Sequence, residues 1–219
     1  GVLDDLYAND LPLGVSYAVR ENSLSNDTRY PVIRLWAPTA RSVRLHLFAD
    51  SHPDTVASDA FPMKRDAVTG SWSLEGKPEW DRMYYRYEVD VYVPATGRFE
   101  SSMVTDPYSH NLSIYSQRSQ IINLADDDLK PRGWDKARKP TLDAPEDIVL
   151  YELHVRDFSI HDDTVPEALR GTFLAFTLED TNGIRHLEAM AESGMSHVHL
   201  LPAMECASFP DDRADQREP

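Results

Sequence analysis

Cysteine is almost missing from these 219 residues. Cys206 stands alone, which excludes an intramolecular disulfide and leaves the redox compartment open. No apolar run approaches the roughly 20 residues that cross a bilayer, so a membrane-spanning segment is excluded. Positive charge is scarce: 22 Lys and Arg face 37 Asp and Glu, giving a net charge of −15 and a pI near 4.8. No Lys/Arg cluster reads as a phosphate-tracking surface, so nucleic acid is not an expected partner and anionic lipid is disfavoured. A neutral ligand suits this balance, and so does plain solubility. The opening Gly1-Val2-Leu3-Asp4 has neither Met nor a basic and apolar leader. A removed signal, or a piece of a longer chain, is the expectation. Gly-x-Ser-x-Gly, phosphate-loop, Cys-x-x-Cys and dinucleotide fingerprints are also absent. What remains is 41% hydrophobic and 27% charged, ordinary for a folded globular chain.

The first half carries period-two patterns. VIRLW (32–36) and SVRLHLF (42–48) flank a turn at Pro38. In the second run Val43, Leu45 and Leu47 share one face, while Arg44 and His46 take the other. DAVTGSWSL (66–74) reads as a hairpin turning at Thr69-Gly70. YYRYEVDVYV (84–93) alternates Tyr85, Tyr87, Val89, Val91 and Val93 against Arg86, Glu88 and Asp90, and PATG (94–97) closes it. Short strands separated by turn signals predict an antiparallel, immunoglobulin-like β-sandwich.

The grammar changes near residue 125. Residues 125–146 are polar, Pro-broken and aperiodic, and read as a linker. Its Asp126-Asp127-Asp128 run has two readings, a calcium ligand set or a solvated turn. Adjacent carboxylates rarely all point inward, which favours the turn. DIVLYELHV (147–155) reads as a strand covered on both faces. Residues 182–194 read as a helix, with Asn182 as N-cap and Gly194 just past its end. MSHVHLLP (195–202) follows as a second strand. Strand, helix and strand in this order imply a parallel pair.

Three constellations invite chemistry. His197 and His199 project to one side, as a zinc pair would, but they sit early in their strand and lack a third ligand cluster. Packed or surface histidines are the simpler reading. Glu152, His154 and Arg156 share a strand face, and buried polar groups there would have to satisfy one another. A structural ladder is therefore the plainer account, with Arg156 and Asp157, at the outgoing end, as candidates for sugar contact. Trp36, Trp72, Trp80, Tyr84 and Tyr92 lie in the β half, and sugars stack on exposed aromatic faces. Trp36 is expected to fill the core. Trp72 and Trp80, in turn-rich surroundings, are expected to be exposed and to bind carbohydrate.

Several stretches together carry a resemblance. RLWAPTARSVRLHLFAD resembles the opening of a carbohydrate-binding module of family forty-eight, and VTDPYSHNLS and LKPRGWD resemble its exit. IVLYELHVRDFSIHDDTVPEALRGTFLAFT and NGIRHLEAMAESGMSHVHLLP are similar to the first βα unit and second strand of type I pullulanases, in the α-amylase superfamily. The resemblance runs from about Leu13 to Pro219. It implies a lead-in (1–12), a sandwich (13–124), the linker (125–146) and the start of a (β/α)8 barrel, left incomplete (147–219).

The same resemblance implies hydrolysis of α-1,6-glucosidic branch points in pullulan, starch or glycogen. The family's retaining mechanism uses two carboxylates roughly 5 Å apart, on barrel strands later than any here. No catalytic or metal residue is therefore assigned, and this chain alone is expected to be inactive. An α-glucan and the rest of the barrel are the expected partners. No cofactor is read from the chain, although the resemblance admits calcium in the full enzyme. It also favours a secreted, periplasmic or cell-surface parent. The alternatives are a non-catalytic α-glucan-binding module and a metal-dependent barrel hydrolase built on His197 and His199.

Overall fold

The computed structural model describes residues 1–20, 28–139 and 141–203, and Cys206 lies outside them. These residues form two compact units, Gly1–Arg132 and a second beginning at Gly133.

The first unit opens with a short helix, α1 (Val2–Leu6), and then nine strands. They are β1 (Gly14–Arg20), β2 (Thr28–Trp36), β3 (Ala40–Phe48), β4 (Asp59–Pro62), β5 (Lys64–Arg65), β6 (Ser71–Glu75), β7 (Tyr84–Val93), β8 (Arg98–Val104) and β9 (Ser119–Gln120). One sheet has the order β1-β2-β6-β5; the other runs β4-β3-β7-β8, with β9 also pairing β7. All of these pairings are antiparallel. The alternation in the sequence explains the layering. Val43, Leu45 and Leu47 of β3 and Tyr85 and Tyr87 of β7 turn inward to meet Val15, Ile33, Leu35 and Trp72 of the opposite sheet. Each fully buried side chain of this size contributes about 1.5–3 kcal/mol. The β5–β6 hairpin turns through Asp66–Gly70, where Asp66 N–H donates to Ser71 O (2.8 Å) and Gly70 N–H to Asp66 O (3.0 Å). Gly70 has φ +65°, and a Cβ there would stand 2.6 Å from Pro38 Cβ.

Tyr85 and Tyr87 bring two hydroxyls into this core, and buried hydroxyls need acceptors. Asp106 supplies both, accepting from Tyr85 Oη at 2.6 Å and Tyr87 Oη at 3.0 Å, while Tyr108 N–H donates to its other oxygen at 2.8 Å. Burial pushes the Asp106 carboxyl above its usual range.

The sandwich unit continues to Arg132, past the point where composition suggests a linker. Asp126 explains the continuation. It accepts from both Arg29 nitrogens (2.5 and 3.2 Å) and from Arg82 (2.8 Å), and Arg82 also reaches Asp128 (2.9 Å). The run is a turn in which Asp126 straps the segment to Arg29 and Arg82, while the Asp127 side chain is 99% exposed and solvated.

The second unit contains β10 (Leu150–His154), α2 (Val155–Ser159), α3 (Asn182–Glu192) and β11 (His197–Leu201). β10 and β11 pair in parallel, with Glu152 opposite His199. Three expectations are corrected here. The first strand is shorter than 147–155, and Ile148, Val149 and Leu150 are exposed rather than covered on both faces. Arg156 and Asp157 belong to helix α2, not to the end of the strand. Val155 and Ser159, four residues apart, are both buried, because one helical turn places them on the same face, where Ser159 Oγ accepts from Gly171 N–H (2.9 Å). The α3 N-cap is Thr181 rather than Asn182, with Ile184 N–H donating to Thr181 Oγ1 at 3.3 Å. Gly194 follows the C-cap, Ser193, at φ +106°, the left-handed position that suits glycine.

Candidate functional site

Trp72 and Trp80 are buried, which overturns the expectation that they face solvent. Trp72 lies in the middle sheet strand β6, its Nε1–H donating to Ala37 O at 3.0 Å. Trp80 closes a tight turn (Pro78–Trp80) that folds its ring back over Gly76 and against Phe61, with ring centroids 4.7 Å apart. Neither ring offers a free face for a sugar. Trp36 is half-buried, its N–H shared between Tyr7 O and Thr69 O (3.2 and 3.1 Å).

Exposed aromatic surface lies elsewhere in this unit. Tyr92 and Phe99 are cross-strand partners on β7 and β8, about half exposed, with ring centroids 5.6 Å apart. The Arg41 guanidinium stands 4.4 Å over the Phe99 ring and pairs with Asp90. Farther along the same sheet face His46 Nε2 meets Glu88 at 2.7 Å, and Ser101 Oγ donates to the other Glu88 oxygen at 3.2 Å. The hydrogen bond from His46 holds the Glu88 carboxyl below its usual range. The outward residues of β3, β7 and β8 thus form an open strip that ends in two aromatic rings and carries paired charges of both signs. Alternation in YYRYEVDVYV implied an outward face, but it could not show that Phe99 would join Tyr92 across a hairpin.

Beside this face, Arg118 is buried and donates to Asp50 O (2.8 Å), Pro53 O (3.2 Å) and Thr55 O (2.8 Å). Its guanidinium also lies 4.1 Å over the Phe48 ring. Arg118 thus helps shape the loop at 50–55, together with Asp50, whose carboxylate accepts from His52 N–H (2.9 Å) and Thr55 Oγ1 (2.6 Å).

In the second unit an open cleft of about 630 Å³ is lined by residues including Tyr151, His154, Asp157, Phe158, His161 and His186. Asp157 thus borders a cavity, as a ligand contact would require. Arg156 is exposed, and its side chain stands 3.7 Å from Asp157. Asp162 forms another wall, accepting from Thr164 (N–H 2.9 Å, Oγ1 2.5 Å), Asn182 Nδ2 (3.0 Å) and Gly183 N–H (3.1 Å). These bonds, led by the Thr164 hydroxyl, hold its carboxyl below the usual range. Glu152 and His154 are exposed rather than interior; Glu152 pairs with His199 Nδ1 at 3.0 Å. His197 is also exposed, its ring beside Ser196 Oγ. Among the described residues no group of three or more His, Cys, Asp or Glu side chains is placed to hold a metal ion. None of their helices is long and apolar enough to cross a membrane.

Residues 12–109 match the model of carbohydrate-binding module 48, the isoamylase N-terminal domain. Pullulanase 1, chloroplastic, of Arabidopsis thaliana is 40% identical over 215 residues, covering 97% of this chain and 21% of its own length. The pullulanase of Klebsiella pneumoniae is 38% identical over 227 residues, covering 100% of this chain and 20% of its own. Over nearly its whole length the chain is similar to a segment of these pullulanases. The crystal structure of the K. pneumoniae pullulanase complexed with maltotriose superposes with a TM-score of 0.82 at 35% identity, over 95% of this chain and 19% of that one. The chain therefore spans about a fifth of the length of these pullulanases. The module match falls within the sandwich unit, while the pullulanase likeness extends through the parallel β10–β11 unit as well.

Proposed function

We propose that this chain is the N-terminal region of a starch-debranching glycoside hydrolase that cleaves α-1,6-glucosidic bonds in pullulan, starch or glycogen. The observation that carries the reading is 40% identity to a pullulanase across both units, not across the module alone. In this reading the sandwich, from residue 13 to Arg132, is α-glucan-binding, and residues 133–146 connect it onward. Residues 147–219 supply the first βα unit of a (β/α)8 barrel. β10, α3 and β11 have the order such a unit needs, and the exposed Ile148, Val149 and Leu150 are the surface that further barrel strands would cover. The retaining carboxylate pair belongs to later strands, so these 219 residues carry out no hydrolysis alone. Asp157, with Arg156 beside it, borders the barrel cleft as a substrate-proximal group. The Tyr92–Phe99 strip, with its paired charges, suits an uncharged polymer lying along the sheet.

Two measurements on the purified chain test this reading. Its migration in a native gel containing amylopectin should be retarded, and Tyr92→Ala/Phe99→Ala should restore free mobility. Incubation with pullulan should release no reducing sugar; release would refute the placement of the catalytic pair outside this chain. The second reading, a stand-alone α-glucan-binding module, is favoured by the module match. It predicts the same retardation with residues 147–219 deleted and no gain of activity when the rest of a barrel is supplied.

A further inference from the structure

The four tryptophans are not equivalent. Three are wholly or partly buried in the sandwich, whereas Trp134 is 62% exposed. Its sequence surroundings are equally unusual. Lys130, Arg132, Lys136, Arg138 and Lys139 lie within ten positions with Asp135 as their one acid, a local charge of +4 on a chain of −15. Residues 132–139 are all exposed. Gly133, at φ +88°, starts a single tight turn over Trp134–Lys136, closed by Lys136 N–H to Gly133 O (2.9 Å) and Ala137 N–H to Trp134 O (3.2 Å). The indole and the Lys136 ammonium are thus presented from one fixed turn.

We propose that residues 132–139 are a contact strip for α-glucan chains that bear phosphate monoesters. The proposal rests on the glucan reading above and adds a ligand class to it. Trp134 stacks on a sugar ring, and Arg132, Lys136, Arg138 and Lys139 meet the phosphate oxygens with charge-assisted hydrogen bonds. A neutral glucan would engage the indole but offer these cations no anion. A dense polyanion such as single-stranded nucleic acid would meet the repulsion of the remaining acidic surface. Sparse phosphates on an otherwise neutral polymer satisfy both conditions.

Native gels containing phosphorylated amylopectin, or the same polymer after phosphatase treatment, test this with the full 219-residue chain. Retardation should be about threefold stronger in the phosphorylated gel, the scale of one exposed charge pair. About 0.5 M salt should remove the difference. Arg132→Gln/Lys136→Gln/Arg138→Gln/Lys139→Gln should abolish the difference while keeping the retardation seen without phosphate, and Trp134→Ala should weaken retardation in the phosphorylated gel. Equal retardation of the native chain in both gels overturns the strip. Failure of retardation in the phosphatase-treated gel alone overturns the sheet-face reading and leaves the strip standing. A single-stranded oligonucleotide bound as tightly as the phosphorylated glucan also overturns the proposal, in favour of a general polyanion site.

Discussion

The two units bury themselves differently. The sandwich closes a core between two sheets in which Ile33, Leu45, Tyr85, Tyr87 and Ile121 are fully inaccessible. The β10–β11 unit has Leu153, Val155, Val165 and Ala175 buried, yet α3 buries none of its residues and Val198 and Leu201 of β11 stay exposed. A β-sandwich completes its own layers, whereas a parallel strand pair presents two edges and two faces that need neighbours. The sandwich therefore has what an independent fold requires, whereas the second unit leaves apolar surface of β11 and of residues 148–150 exposed.

The contrast breaks most sharply with core truncation. Leu45→Ala should cost the sandwich about 3 kcal/mol, whereas Val198→Ala should cost about 0.5 kcal/mol or less, by urea unfolding. Comparable losses would mean that the second unit is as closed as the first. Arg118→Lys removes the planar fork that serves three carbonyls, and about 2 kcal/mol should be lost, with faster proteolysis at 50–55. Retention of native protease resistance would mean that the loop is held by something else.

Asp126→Asn tests the strap. The hydrogen bonds from Arg29, with Arg82 adding its charge, hold the Asp126 carboxyl below its usual range. A depressed folded pKa means stabilisation present above the ordinary carboxyl value near 4 and lost as pH falls through the lower folded value. The substitution should cost about 1 kcal/mol at pH 7, converging on the parent chain in stronger acid. Asp106 has the opposite sign. Its raised folded value favours the fold below the ordinary range, and that contribution fades as pH rises through the folded value. The smallest effect belongs to Thr181→Ala, which should cost the second unit up to about 1 kcal/mol, seen as lost helical circular dichroism. The sandwich transition should not move.

The sandwich strands were legible because one face is buried and the side-chain period is two: Tyr84–Val93 is a strand over its written range, with Tyr85 and Tyr87 buried between half-buried neighbours. The same pattern misled at Arg156 and Asp157, where alternation runs by coincidence into a helical turn that buries Val155 and Ser159. Thr181 and Asn182 are both good caps, and sequence alone ranks neighbours poorly. Trp80 was misread because proximity to turns is local, whereas its burial depends on Phe61, nineteen positions away. The basic run around Trp134 was hidden by an average, since a net charge of −15 says nothing of how cations cluster.

Gly76 and Trp80 carry a consequence for the lineage of this fold. A Cβ at Gly76 would stand 2.6 Å from the Trp80 ring and 2.9 Å from Pro31. The indole therefore occupies the volume that any other residue at 76 would need. Across related chains the two sites should change together or not at all: where a side chain appears at the first, a smaller ring should stand at the second.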